Sequence, residues 1–164
     1  SALNNPERPG IPFHFIKVDM AGNISKRFSY SGMPIPRYGG ACARWNIYRA
    51  FLQPEIVQAE YATLDDGKTY LCIAKAARKG YGFGQHQHYV AIGLGCDAKD
   101  AHQTVYSDPL DYSHKEQFNP VGITCRICER MNCAQRAFAP INARFPLEAN
   151  RRGLSPFTGH KNNF

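Results

Sequence analysis

The sequence has no run of about 18 apolar residues, the length a helix needs to cross a bilayer. Its first ten residues, Ser1 to Gly10, are polar and proline-containing and have no apolar core of an export signal. They read as a linker or an artificial chain start, so the chain is expected to be a piece of a longer, cytoplasmic protein with no membrane partner. No HExxH, no serine nucleophile elbow and no recognisable carboxylate pair occurs, which argues against an enzyme. Acidic residues are also scarce: 13 Asp and Glu stand against 20 Lys and Arg, for a net charge of +7. Most of that excess is local. Residues 125–164 carry seven bases (Arg126, Arg130, Arg136, Arg144, Arg151, Arg152 and Lys161) against Glu129 and Glu148. A concentrated positive field attracts an anion such as nucleic acid, a phosphorylated small molecule or an anionic cluster. A solvated basic tail explains the part after Ala139 equally well.

The 164 residues suit one domain with a sizeable core. Strands are expected at Ile11–Val18, Ile24–Tyr30, Ile56–Thr63, Thr69–Ala76 and His88–Leu94, from short apolar or alternating runs bounded by turn residues. Asp19–Asn23 and Asp65–Lys68 read as hairpin turns. Trp45, Tyr48 and Leu52 fall at helical spacing and predict a helix over Cys42–Leu52 that Pro54 ends. Asp97 is placed to cap a short helix through about Tyr106, and Arg130–Phe138 is expected to be helical. The expected fold class is α+β: a mostly antiparallel sheet with flanking helices, by analogy PAS- or GAF-like, with a C-terminal cysteine-rich segment. The expected organisation is a linker over 1–10, a sensing domain over 11–140 and a basic tail over 141–164.

Six cysteines could pair as three disulfides, but a chain of this size needs no staples and half of them crowd into nine residues. Cys125, Cys128 and Cys133 form a C-x2-C-x4-C pattern, the spacing of thiolate metal ligands. Thiolates select zinc or iron–sulfur clusters. A structural zinc site wants four protein ligands, and no second CxxC is present to supply the fourth. Cys42, Cys72, Cys96 and His114 are contributors only from a distance in sequence. A [4Fe–4S] cluster tolerates three thiolates, with one iron left to water, a distant residue or an incoming ligand. Arg126, Arg130 and Arg136, interleaved with the cysteines, favour thiolate and cluster charge. A [4Fe–4S] cluster is the preferred expectation and zinc the alternative.

The run Gly122–Phe138 (GITCRICERMNCAQRAF) resembles the signature of the short-chain fatty acyl-CoA-responsive transcription regulators. Asp19–Arg27 (DMAGNISKR), Gly39–Phe51 (GGACARWNIYRAF) and Gly93–Asp97 (GLGCD) are similar to the family pattern in the same order, so the resemblance spans about residues 12–140. The family pattern places proline after the cysteine of the second motif; Ala43 stands there. The resemblance implies a C-terminal effector domain that binds an iron–sulfur cluster through Cys125, Cys128 and Cys133. It also implies a short acyl-CoA such as propionyl-CoA as effector. Family members reach DNA through an N-terminal helix-turn-helix followed by a metallopeptidase-like region, neither of which this sequence contains.

Coenzyme A asks for cations at its phosphates, an aromatic face and backbone N–H donors. Lys26, Arg27, Arg44, Trp45, Tyr48, His86, His88, Arg126 and Arg136 are the candidate ligand-binding residues. Gly39-Gly40 ahead of the first helix, and more weakly Gly93-Leu94-Gly95, are candidate phosphate turns. Against these roles, Trp45, Tyr48 and Phe51 fit a core, Arg27 and Arg44 fit a charged surface, and His86 and His88 fit a solvated strand face. The expected function is a non-catalytic sensor whose effector shifts its packing against a DNA-binding part. Two rivals are a zinc-binding nucleic-acid module and an iron–sulfur enzyme with an open iron. The sequence leaves a homodimer open.

Overall fold

The computed structural model describes residues 10–80, 82–84 and 86–141; residues 1–9 of the expected linker and 142–164 of the expected tail lie outside the described residues. Five strands follow the expected hairpins: β1 (Phe13–Asp19), β2 (Ile24–Ser29), β3 (Gln58–Thr63), β4 (Thr69–Lys79) and β5 (His88–Asp97). They pair antiparallel, and a two-residue strand β6 (Asn119–Pro120) adds in parallel to β3, giving the order β2-β1-β5-β4-β3-β6. Sequence patterning missed β6 because it is so short and contains a proline, a residue confined to sheet edges. Both β4 and β5 run further than expected because they pair with each other along ten positions, from Tyr70–Asp97 to Lys79–His88.

The alternation in β1 sends His14, Ile16 and Val18 to one face of the sheet. Gly93 and Ala91 of β5 lie opposite Ile16 and Val18, and Ala74 and Ala76 of β4 continue the same row. This face is paved with small residues, and α1 (Asn46–Arg49) packs on it through Ile47. The spacing is tight enough to require glycine. A Cβ on Gly93 would lie 2.8 Å from Ile16 Cγ2, and one on Gly95 would lie 2.3 Å from the Leu71 carbonyl oxygen and 2.4 Å from the His14 ring. Gly93-Leu94-Gly95 is therefore a packing element in mid-strand, not a phosphate turn. The opposite face buries Tyr61, Leu71, Ile73, Cys96 and Phe118 beneath 3-10 turns at Ala98–Gln103 and Lys115–Gln117.

Three helical expectations are corrected. The Cys42–Leu52 helix shrinks to Asn46–Arg49 and a 3-10 turn at Ala50–Leu52. Trp45 is extended, with ψ of 135°, because its indole N–H reaches the Gly122 carbonyl at 2.8 Å and the Cys42 N–H bonds Ile123 O at 2.9 Å. The capped turn after Asp97 is present, with the Asp97 carboxylate accepting from the Lys99 N–H at 3.0 Å, but it is 3-10 and stops at Gln103. Arg130–Phe138 is a series of turns with no helix. The carbonyls at its two ends, Arg130 and Phe138, are both taken by the guanidinium of Arg136.

Candidate functional site

The cysteine motif sits in the irregular segment after β6, held from beneath by Arg136. This side chain is only 3% exposed, and it donates to the carbonyl oxygens of Cys125 (2.8 Å), Cys128 (3.0 Å), Arg130 (2.7 Å) and Phe138 (3.3 Å). A charged donor answering several carbonyls is a strong local organiser. It places the backbone of Cys125 and Cys128 around one cation, and the backbone N–H of Arg136 adds a bond to the Cys133 carbonyl at 3.1 Å. Arg136 thus belongs to the loop, and it is enclosed there instead of presented to a phosphate.

All six thiols are free. The Cys125 sulfur accepts from the Ala137 N–H at 3.5 Å, and Cys125 and Cys133 are half-buried. Cys128 is buried, and burial raises its pKa, helped by the Asp65 carboxylate to which its S–H is directed. Burial likewise pushes up the Cys42 thiol, whose sulfur faces the N–H groups of Gly122 and Arg44 and lies within reach of the charges of Cys125 and Cys133. No group of three or more Cys, His, Asp or Glu among the described residues is close enough to hold a single metal ion. The donors are soft, unoxidised and collected on one loop, and a Cβ added at Gly122 would press on Cys128 Sγ at 3.0 Å. In chemistry the set fits an iron–sulfur cluster. The cluster would have to draw the Cys128 sulfur away from Asp65.

The residues nominated for acyl-CoA do not converge. Lys26 and Arg27 are exposed on β2, with Arg27 donating to the carbonyls of Pro36 (3.2 Å) and Arg37 (3.0 Å). Arg44 is half-buried and bonds Asn119 Oδ1, so it ties the chain before α1 to β6. Trp45 and Tyr48 pack in or against the core. His86 and His88 are exposed at the far end of the β4–β5 hairpin, and Arg126 stacks over Phe138 at 4.9 Å.

A cleft that sequence reasoning missed lies between the β3–β4 turn, the start of the 3-10 turn after β5 and the segment 112–120. It encloses about 590 Å³ and is lined by Lys68, Lys99, Lys115, Arg130, Tyr112 and Phe118 among others. Tyr61, Tyr112 and Phe118 form a ring cluster with centroids 5.0–5.4 Å apart, and the Lys115 ammonium sits 5.8 Å over Tyr112. Arg130 joins the cleft to the cysteine loop: it pairs with Asp65 and donates to Thr63 O at 3.2 Å. The lysine of the Asp65–Lys68 turn was the visible signal, but its neighbours come from separate segments. By contrast, the cavity between α1 and the sheet is about 20 Å³, room for a water.

Comparison with known proteins places the chain in a family. The model of the family described as short-chain fatty acyl coenzyme A regulator, C-terminal, matches residues 2–157. The chain belongs to this family. A propionyl-CoA carboxylase regulator from Cereibacter sphaeroides is 42% identical over 96% of this chain and 34% of its own length. The transcriptional regulators RamB and PrpR of Mycobacterium tuberculosis, both named as helix-turn-helix type, are each 40% identical over 96% of the chain. The chain thus spans about a third of the length of these curated relatives. A solved structure described as a Mycobacterium tuberculosis transcriptional regulator superposes with a TM-score of 0.84 at 38% identity, covering 94% of this chain and 47% of that one. The α+β fold with a mostly antiparallel sheet is shared with that structure. No helix among the described residues is long and apolar enough to cross a membrane.

Proposed function

We propose that this chain is the effector-sensing domain of a cytoplasmic transcription regulator, non-catalytic, binding a short-chain acyl-CoA and a [4Fe–4S] cluster. The observation that carries the reading is the family match over residues 2–157. In this reading Cys125, Cys128 and Cys133 hold the cluster, Arg136 supports the loop backbone, and DNA contact belongs to a part of the regulator outside this sequence. A single zinc ion binds sulfur at about 2.3 Å and needs its ligands crowded together. A four-iron cluster takes each thiolate on a different iron, so it does not need its ligands crowded on one atom.

For the acyl-CoA, the cleft beside the loop supplies what the separate candidates do not. Lys68, Lys99, Lys115 and Arg130 suit the phosphates, and Tyr112 and Phe118 offer ring faces to the adenine. Its volume falls in the range of ligand pockets, about 300–1,000 Å³. In this reading the antiparallel sheet with its cover segments is a PAS- or GAF-like sensor scaffold. Arg130 supplies a physical link from effector to cluster, because a phosphate competing for its guanidinium loosens Asp65, the group facing Cys128.

The test is anaerobic purification followed by iron and acid-labile sulfide analysis, visible absorption and calorimetric titration with propionyl-CoA. Near-equal iron and sulfide, lost in a Cys128→Ser variant, and acyl-CoA affinity weakened about 10-fold by Lys115→Ala are expected. Colourless protein with one zinc per chain would overturn the cluster. Weakening by Lys26→Ala and Arg27→Ala alone would move the effector to the β1–β2 hairpin.

A further inference from the structure

The face of the sheet opposite α1 is only partly covered. The 3-10 turns close over the end that holds Tyr61, Leu71 and Cys96. The part built by β2, β1 and the middle of β5 is open. Phe15 of β1 stands in register between Phe28 of β2 and Leu94 of β5, with Tyr30 and Ile92 in the rows on either side. Tyr30, Phe28, Leu94 and Ile92 are 61%, 43%, 40% and 37% exposed. Phe15 and Phe28 stack at 5.6 Å with their planes 11° apart, and Tyr30 meets Phe28 edge-on at 5.8 Å. A groove of about 580 Å³ runs along β2 past Phe15, Lys26 and Phe28. Contiguous exposed apolar surface of this kind marks an interaction site.

The next row across the same face is basic. Lys26 of β2 and Lys17 of β1 are direct cross-strand partners, followed by Ile92 and then Lys75 of β4. Lys75 pairs with Glu55 at 3.2 Å, but neither Lys17 nor Lys26 is in an ion pair among the described residues. Like charges directly opposite each other destabilise a sheet. Lysine on an edge strand guards against strand addition, which accounts for Lys26 but not for Lys17, inside the sheet. A carboxylate seated between the two removes their repulsion.

Charge also separates the occupants. A second copy would set the same lysines against themselves, in a chain that already carries +7. Residues 142–164 are basic too, with Arg144, Arg151, Arg152 and Lys161 against Glu148. Nucleic acid suits the lysines, but bases stack on free ring faces, and Phe15 and Phe28 turn theirs to each other. The curated relatives are about three times as long as this chain, which leaves ample protein to fill the face.

We propose that the open face of β2, β1 and β5 is the docking surface for another part of the same regulator, an apolar segment flanked by carboxylates. Its apolar side chains cover Phe15, Phe28, Tyr30 and Leu94, and its carboxylates pair with Lys17 and Lys26. This rests on the regulator reading above, and it supplies a surface through which a change of packing in this domain reaches the DNA-binding part.

Hydroxyl-radical footprinting of the full-length regulator and of this 164-residue chain tests the assignment at Phe28, Tyr30 and Leu94. Tyr38, in the loop after β2 and 89% exposed, is the reference. Oxidation of the three face residues is expected to be about 5-fold slower in the full-length protein, because an interface core excludes water. Tyr38 should be oxidised alike in both. In a full-length Lys17→Glu/Lys26→Glu variant the three rates should return to those of the shorter chain. Circular dichroism checks that the variant folds, and the wild-type comparison stands without it. Equal rates in the two wild-type proteins would overturn the proposal. So would protection already present in the shorter chain, from a second copy if dilution removes it and from its own ends if not. Protection lost on nuclease treatment would give the face to nucleic acid, and protection that survives the charge reversal would overturn the acidic partner. DNA binding by the same full-length sample reports on the regulator reading separately.

Discussion

Residues 69–97 and residues 121–141 both contribute to the buried half of the domain, yet they are held in opposite ways. The first is a long antiparallel pair whose backbone groups satisfy each other residue by residue. The second has neither helix nor strand, and four of its carbonyls converge on the side chain of Arg136. A ladder distributes its stability over many equivalent bonds, so it resists the loss of any one. A loop gathered around one cation depends on that cation, and it leaves its thiols free for a ligand. The difference sets a stiff sheet against a loop that depends on one side chain. Regions that respond to ligands come from the less stable end of a structure.

The comparison can be broken most severely in the sheet. Gly95→Val drives side-chain atoms into the Leu71 carbonyl, a backbone group that cannot yield, and is expected to destabilise by more than about 4 kcal/mol. Thermal unfolding should show no cooperative transition at ordinary temperatures; a melting temperature near wild type would mean that β4 and β5 can separate at this point. Arg136→Ala should act next most strongly, by about 3–5 kcal/mol, but locally. Hydrogen exchange is expected to accelerate at the amides of residues 122–138 and to leave β4 and β5 protected. Equal loss of protection in both regions would show that the loop and the sheet unfold as one unit.

A smaller effect is pH-dependent and belongs to His14. Burial lowers its pKa from 6.5 to about 4 in the fold, where Nδ1 meets Ser31 Oγ at 2.9 Å. The folded protein holds the neutral ring, whereas the unfolded chain protonates it below about 6.5. Stability from this group is therefore complete above pH 6.5 and falls as the pH drops towards 4. The loss is about 3 kcal/mol across that window. Denaturant titrations at pH 7 and 4.5 should show the decline, and His14→Phe should flatten it. The same slope in both proteins would place the titrating group elsewhere.

Much of the sheet was legible because strand patterning is local. Alternation in β1, the Asp-Asp-Gly-Lys turn and the apolar run of β5 each occupy fewer than ten residues, and each was found where expected. The helices were less so. Trp45, Tyr48 and Leu52 have helical spacing, but the hydrogen bond from Trp45 to Gly122 spans 77 residues and overrules it. Arg130–Phe138 has adequate helix formers, but the carbonyls of Arg130 and Phe138 found a charged donor in the Arg136 side chain. The site divides in the same way. Cys125, Cys128 and Cys133 are read from their spacing because they are contiguous. The cleft of Lys68, Lys99, Lys115 and Arg130 draws on separate segments and leaves no pattern in the chain.

The sequence by itself determined the α+β class, the five main strands, the cysteine motif and the family, all of which rest on short-range spacing or on the order of motifs. Only the tertiary structure decided that Gly93 and Gly95 serve packing, that Arg136 is enclosed by the loop, and that Cys42 stands beside Gly122. Each of these depends on contacts between residues far apart in the chain, whose geometry follows from how sheet, cover and loop pack together.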